Sequence, residues 1–195
     1  MNAGIAMGLL ALMSASVGIL AADAPPADAQ PAPPPLKIEP HFIDLKETTL
    51  AGIATFAGPQ SGRFPELWKG FPQKIGEETG LETNTYSYGL ELYPPNFDKG
   101  HEFTYMACMA VSDIRLVQLH LVMRTLPAAR YAVFPVPGSL AGLAAAFHYI
   151  YSEWLPNSRY QRAYPFDMER YDVSPEAVKA RDMPIEILVP VVDKK

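Results

Sequence analysis

The sequence predicts an α+β domain in which a strand, a helix and two further strands occur twice in succession, all strands joining one antiparallel sheet. Three observations predict it. Segments of alternating, β-branched-rich sequence recur through the chain, two apolar stripes have helical spacing, and the order of these elements after the first stripe matches the order after the second. A groove between the two main helices is the natural place for a ligand.

The chain has 195 residues, of which 49% are hydrophobic and 19% charged, with 10 Tyr, 9 Phe and 2 Trp. This is the composition of one folded, aromatic-rich domain with an appendage. A formal net charge of −5 and a pI near 5.4 leave no basic stripe for phosphate backbones, so nucleic acid is not an expected partner. Cys108, in the apolar run FTYMACMAV, is the single cysteine. It reads as a small buried thiol, and no intrachain disulfide can form.

Residues 1–22 carry no charged side chain, and small residues gather at their end, as in a secretory signal peptide. The run is also near the ~20 apolar residues that span a bilayer, so an uncleaved membrane anchor is the rival reading. Either way the expected location is outside the cytoplasm: periplasmic, or tethered facing the periplasm. Residues 23–36 are rich in proline and alanine, the composition of an extended linker. The folded domain is expected over residues 37–195.

Its first strands are expected across Phe42–Phe56. Leu67, Trp68, Phe71 and Ile75 then form a helical stripe, with Pro65 suited to a first turn and Pro72 and Gly70 expected to kink or shorten it. Strands follow over Thr83–Tyr93 and Glu102–Val111, joined by the turn-rich PPNFDKG. The second unit begins with strands near Leu119–Thr125 and Arg130–Val136. Leu140, Leu143, Ala144, Phe147, Ile150, Tyr151 and Trp154 give its helix, opened by Gly138 and Ser139 and closed by Pro156. A strand through FDMERYD, a polar excursion (VSPEAVKARDM) and a last strand in PIEILVPV complete it.

On the FDMERYD strand, alternation places Asp167, Glu169 and Tyr171 on one face and Phe166, Met168 and Arg170 on the other. A carboxylate between aromatic segments is the one feature that suggests chemistry. A buried glutamate either holds a proton or awaits a cation, and aromatic neighbours favour flat, greasy, positively charged guests. The alternative is structural: a salt bridge from Glu169 to Arg130, Arg159 or Arg162. Glu186 is left open between solvent and groove. Tyr88, Tyr105, Tyr131, Tyr171 and Trp154 are the aromatic candidates for lining the cleft. The four histidines lack ligand spacing, and there is no phosphate loop or nucleophile elbow, so neither a metal nor any other cofactor is expected.

The runs LPAARYAVFPVPGSLAGL, YIYSEWLPNSRYQ, FDMERYD and IEILVPV, with YSYGLEL and FTYMACMAV upstream, resemble the GyrI-like small-molecule-binding family, the effector-binding domain of AraC- and MerR-type transcription regulators. The resemblance covers about Lys37 to Val192. It implies a duplicated strand-helix-strand-strand fold with an aromatic-lined groove. It also implies a glutamate at the Glu169 position that pairs with lipophilic cations, with Tyr88, Tyr105, Trp154 and Tyr171 as stacking aromatics. Some members of the family are hydrolases that open strained cyclopropane rings. The alternative function is therefore an enzyme of that kind using Glu169 and Tyr105, and a third is a non-catalytic envelope interaction protein. Regulators of the family carry a helix-turn-helix domain ahead of this one. Here the apolar segment and the proline spacer stand in that place, so a DNA-binding role is not expected.

Overall fold

The computed structural model describes residues 37–195, except 59–60, 76–79, 82–85, 98–100, 137–141 and 181–183. The expected export segment, the linker, and the helix start at Gly138 and Ser139 lie outside the described residues.

The strands are β1 (His41–Leu45), β2 (Thr48–Ala57), β3 (Tyr86–Leu92), β4 (Phe103–Ala110), β5 (Val122–Leu126), β6 (Ala129–Pro135), β7 (Tyr160–Arg162), β8 (Phe166–Asp172) and β9 (Ile185–Asp193). Helix α1 spans Arg63–Ile75, α2 spans Leu143–Tyr149, and α3 spans Pro175–Ala180. Every ladder is antiparallel, in the order β1-β6-β9-β8-β3-β4-β2-β5, with β7 beside β9. That order is a palindrome of the two units, with β3 and β8 meeting at its centre.

The two ends of the order belong together. β1 and β2 are separated by two residues, as are β5 and β6, and their pairings run on in step: Leu45 faces Ala129, and three residues further on Thr48 faces Leu126. The sheet therefore curls until its ends share one seam, which leaves no open edge there.

Curling divides the core. The helix-free face encloses Leu50, Leu90, Met106, Cys108, Tyr131, Phe166, Met168 and Leu188, all buried without any helical residue among them. On the outer face, Trp68, Phe71 and Ile75 of α1 pack on Ala51, Tyr105 and Ala107, while Ala146 and Ile150 pack on Ala132, Phe134 and Ile187. Each helix thus covers its own unit, and the central β3–β8 pair forms the floor between them.

Local chemistry accounts for most element bounds. α1 runs unbroken through Pro72, whereas the sequence suggested a kinked or short helix. Burial of Trp68 and Phe71 outweighs the one backbone hydrogen bond that a proline forfeits. α2 passes directly into a π-helical segment, Ile150–Trp154, and a final turn, Leu155–Asn157, so Pro156 lies inside the last turn rather than beyond it. The polar excursion contains α3. Ser174 Oγ accepts from the Ala177 N–H at 3.3 Å, an N-cap contact that starts it. β7 had no counterpart in the sequence reading.

Candidate functional site

The groove floor is set by the β3–β8 register. Ser87 lies opposite Tyr171, Gly89 opposite Glu169, and Glu91 opposite Asp167. Strand alternation turns all six toward the helices. Ser87 and Asp167 are fully buried, Glu169 is 6% exposed and Glu91 7%. Where the sequence suggested one carboxylate in an apolar hollow, the floor carries three.

Glu169 is held by phenols. Tyr105 on β4 and Tyr171 both donate to its Oε2, at 2.6 and 2.7 Å. The Trp68 indole N–H of α1 donates to the Tyr105 hydroxyl at 2.8 Å, so the relay runs from helix to sheet to carboxylate. Phe64 stacks on Tyr105 at 4.4 Å, and Trp68 meets Tyr171 edge-on at 5.2 Å. Gly89 makes this possible, because a Cβ there would fall 2.4 Å from Glu169 Oε2 and 2.3 Å from the Tyr105 hydroxyl.

The other end of the floor has its own partners. The Tyr93 hydroxyl donates to Glu91, and the Tyr151 hydroxyl, from the π-helical segment, donates to Asp167 Oδ2. Arg162 on β7 lies over the Tyr93 ring at 4.9 Å and the Tyr151 ring at 5.7 Å, with Nη1 3.8 Å from Asp167 Oδ2.

Burial pushes all three carboxyls up from the ordinary carboxylate range. For Glu91 the charge of Glu169 adds to burial, against the Tyr93 hydrogen bond. For Glu169 the Tyr105 and Tyr171 hydroxyls partly offset it. Asp167 is raised to about 6 by burial, with the Tyr151 hydrogen bond and the Arg162 charge pulling the other way. Tyr105 and Tyr171 are themselves pushed well above the usual phenol range, by burial first and then by Glu169. They are donors to the carboxylate, not bases. Among the described residues no cluster of His, Cys, Asp and Glu is arranged to hold a metal ion.

The structure brings only part of the expected aromatic set together. Tyr105 and Tyr171 touch Glu169. Tyr88 and Tyr131 pack on the opposite, enclosed face of the sheet, because the alternation that turns Gly89 toward the helices turns Tyr88 away. Trp154 packs against Phe134 and Tyr160. It lines an open hollow of about 400 Å³ with Lys37, Tyr149 and Glu153, apart from Glu169. The arginines weighed as partners for Glu169 go elsewhere: Arg130 lies over Phe42, Arg159 meets Asp193, and Arg162 approaches Asp167. Glu186 faces away from the groove and takes two hydrogen bonds from Arg170, at 2.6 and 2.8 Å. Glu91, Tyr93 and Tyr151 were missed. Only the alternation of YSYGLEL, with Ser, Gly and Glu on one side, hinted at the first.

A curled antiparallel sheet with a helix on each unit and buried carboxyls on the strip between them defines a duplicated α+β domain. A family profile described as GyrI-like small molecule binding domain matches residues 38–192, and the chain belongs to that family. The transcriptional regulator BrlR of Pseudomonas aeruginosa is 27% identical over 132 residues, 68% of this chain and 47% of the regulator. The chain thus spans about half the length of that relative. Among solved structures, the EcmrR C-terminal domain aligns with TM-score 0.61 and 16% identity, covering 82% of this chain and 100% of the other. SAV2435 bound to tetraphenylphosphonium aligns with TM-score 0.59 and 15% identity, covering 79% of this chain and 94% of the other. Both share the fold.

Proposed function

We propose that the domain binds a hydrophobic cation in the groove, with the ionised Glu169 carboxylate as its counter-charge. One observation carries the reading: Glu169 is nearly fully buried, is held by two phenols, and has no guanidinium or ammonium in contact among the described residues. A carboxylate so placed is costly to ionise, and a desolvated cation stacked among Trp68, Tyr105 and Tyr171 recovers that cost. That SAV2435, which shares the fold, holds tetraphenylphosphonium supports this ligand class.

Because these rings close over the floor, a guest enters by displacing them, and Trp68 reports its arrival. Titration with tetraphenylphosphonium, followed by calorimetry and tryptophan fluorescence, tests the reading. Saturable binding that weakens about tenfold or more in Glu169→Gln is expected. An affinity that does not respond to that substitution removes the glutamate from the mechanism.

A hydrolytic variant of the same site has one observation in its favour, the 2.6 Å contact between the Tyr105 hydroxyl and Glu169. A raised carboxyl beside a phenol suits proton transfer to and from an electrophilic guest. Consumption of a strained-ring compound by the wild type, lost in Glu169→Gln, would establish it; recovery of the intact compound argues for binding alone.

The charge-free segment 1–22 and the linker 23–36 favour delivery of the domain across the inner membrane, cleaved or tethered. Fractionation of an epitope-tagged full chain tests this, and a purely cytoplasmic signal overturns it.

A further inference from the structure

The Asp167 end of the floor holds a cation of its own, Arg162, which the Glu169 end lacks among the described residues. Tyr151, from the π-helical segment, donates to the fully buried Asp167, and Tyr93, from the strand β3 exit, donates to Glu91 directly across the ladder from it. A planar cation, the Arg162 guanidinium, already lies against both rings. Two rings and a carboxylate around a positive charge make an aromatic cage.

The resident cation fits it poorly. Its nearest nitrogen is 3.8 Å from Asp167 Oδ2 and 3.5 Å from the Tyr151 hydroxyl, so the parallel two-point contact that a guanidinium makes with a carboxylate is absent. Asp167 Oδ1, wholly buried, has no hydrogen bond of good geometry among the described residues, although the Tyr93 hydroxyl lies near enough to the carboxyl to favour its charged form. The Arg162 side chain remains 32% exposed, so part of it already meets solvent. A buried acceptor left without a well-aligned donor is a standing cost that a better-placed donor pair would relieve.

We infer that Tyr93, Tyr151 and Asp167 form a second cation site, for planar amidinium- or guanidinium-bearing ligands, which Arg162 occupies as a displaceable stand-in. It rests on the reading of this groove as a ligand cleft and adds a subsite two residues along β8 from Glu169. The ligand's two parallel N–H groups meet the Asp167 carboxylate, its plane lies between the tyrosine rings, and Arg162 moves outward. Tetraphenylphosphonium has no N–H group and gains nothing from this end, so the two subsites select different cations.

Benzamidine, a flat aryl amidinium, is the probe, titrated into the full chain by calorimetry. In Arg162→Gln its affinity is expected to rise about fivefold or more, since the competitor is gone; a gain of this kind cannot come from damaged folding. In Asp167→Asn it is expected to fall about tenfold or more, with melting temperature checked in parallel. Tetraphenylphosphonium affinity is expected to respond to Glu169→Gln and not to Asp167→Asn, which separates the two subsites. A benzamidine affinity that is unchanged or lower in Arg162→Gln overturns the inference, even where tetraphenylphosphonium binds as proposed above.

Discussion

Gly89 stands directly across the β3–β8 ladder from Glu169, and the volume its side chain lacks is where the Glu169 carboxylate and the Tyr105 hydroxyl meet. The site is built around an absent methyl group as much as around its carboxylate. Gly89→Ala is therefore expected to force the carboxylate–phenol pair apart. A loss of about 2–3 kcal/mol in denaturant unfolding is expected, because the clash is with groups packed on all sides. A shift in the unfolding midpoint within error of wild type would show that the pair relaxes freely.

The buried carboxyls make stability depend on pH in an unusual direction. Asp167 is raised to about 6 from an ordinary 3.8, so the folded protein keeps a proton that the unfolded chain releases. Its favourable contribution is complete below the unfolded value and is lost as pH rises through the folded one. The loss by neutral pH is on the order of 3 kcal/mol. Asp167→Asn keeps an acceptor for Tyr151 and removes the titration. The variant should gain on the wild type in unfolding free energy between pH 4 and pH 7, as read by urea melts at several pH values. A difference that stays flat across that range contradicts the assignment.

Cation binding runs the opposite way. Glu169 is raised by burial, and only its ionised form neutralises a guest. The affinity for tetraphenylphosphonium is expected to climb as pH rises through the glutamate's elevated value and then level off. In Glu169→Gln that dependence should disappear. Calorimetry in buffers of different ionisation enthalpy would also register the released proton.

On the other side of the sheet, Arg170 and Glu186 face each other across β8 and β9, and the guanidinium lies 4.7 Å from the Tyr86 ring centre. Both side chains are largely sheltered, at 13% and 22% exposure. A double-mutant cycle with Arg170→Met and Glu186→Gln should give a coupling of about 1 kcal/mol or more, above that of an exposed pair. Tetraphenylphosphonium binding should be unaffected, since neither residue faces the groove. A coupling near zero would make the pair incidental.

Lys194 extends beyond β9 to the end of the helix that follows α2. Its ammonium donates to the carbonyls of Leu155, Pro156 and Ser158 at 3.0, 2.8 and 2.8 Å. These are the carbonyls that a helix terminus leaves unpaired, and a cation there also meets the negative end of the helix dipole. Lys194→Met is expected to cost about 1 kcal/mol, which for a domain of this size lowers Tm by about 2–4 °C. An unchanged melting curve would mean that water serves the carbonyls equally well.

Much of the architecture was legible because period and order survive in a single sequence. Alternation marked β2, β4, β6, β8 and β9, the 3.6-residue stripes marked both helices, and their repetition implied one sheet. Glu169 was legible for the same reason, being on the face shared by Asp167 and Tyr171. What alternation leaves open is which face is which. In YSYGLEL the aromatic set drew attention to Tyr88, yet the set Ser87, Gly89 and Glu91 faces the groove, since only small or hydrogen-bonded residues fit beneath the Tyr105 phenol. The pairing of Glu91 with Asp167 joins residues far apart in the chain and depends on a register that neither strand encodes alone. Tyr151 packs against the α2 core as its stripe position predicts, but the reach of its hydroxyl to Asp167 depends on how helix and sheet dock, which the stripe does not encode. α3 did have a signal, Ser174-Pro175-Glu176, the pattern of a capped first turn, obscured by the polar residues around it.

The shared seam of the curled sheet ties the fate of the two units together. β2 is completed by β5, and β6 by β1, so each unit's outermost strand is bordered by the stretch of chain that leads into the other. Cut between β4 and β5, either portion would be left with bare strand margins, Glu91 on one and Asp167 and Glu169 on the other. Neither unit can therefore be trimmed away without exposing backbone amides and carbonyls on the one that remains.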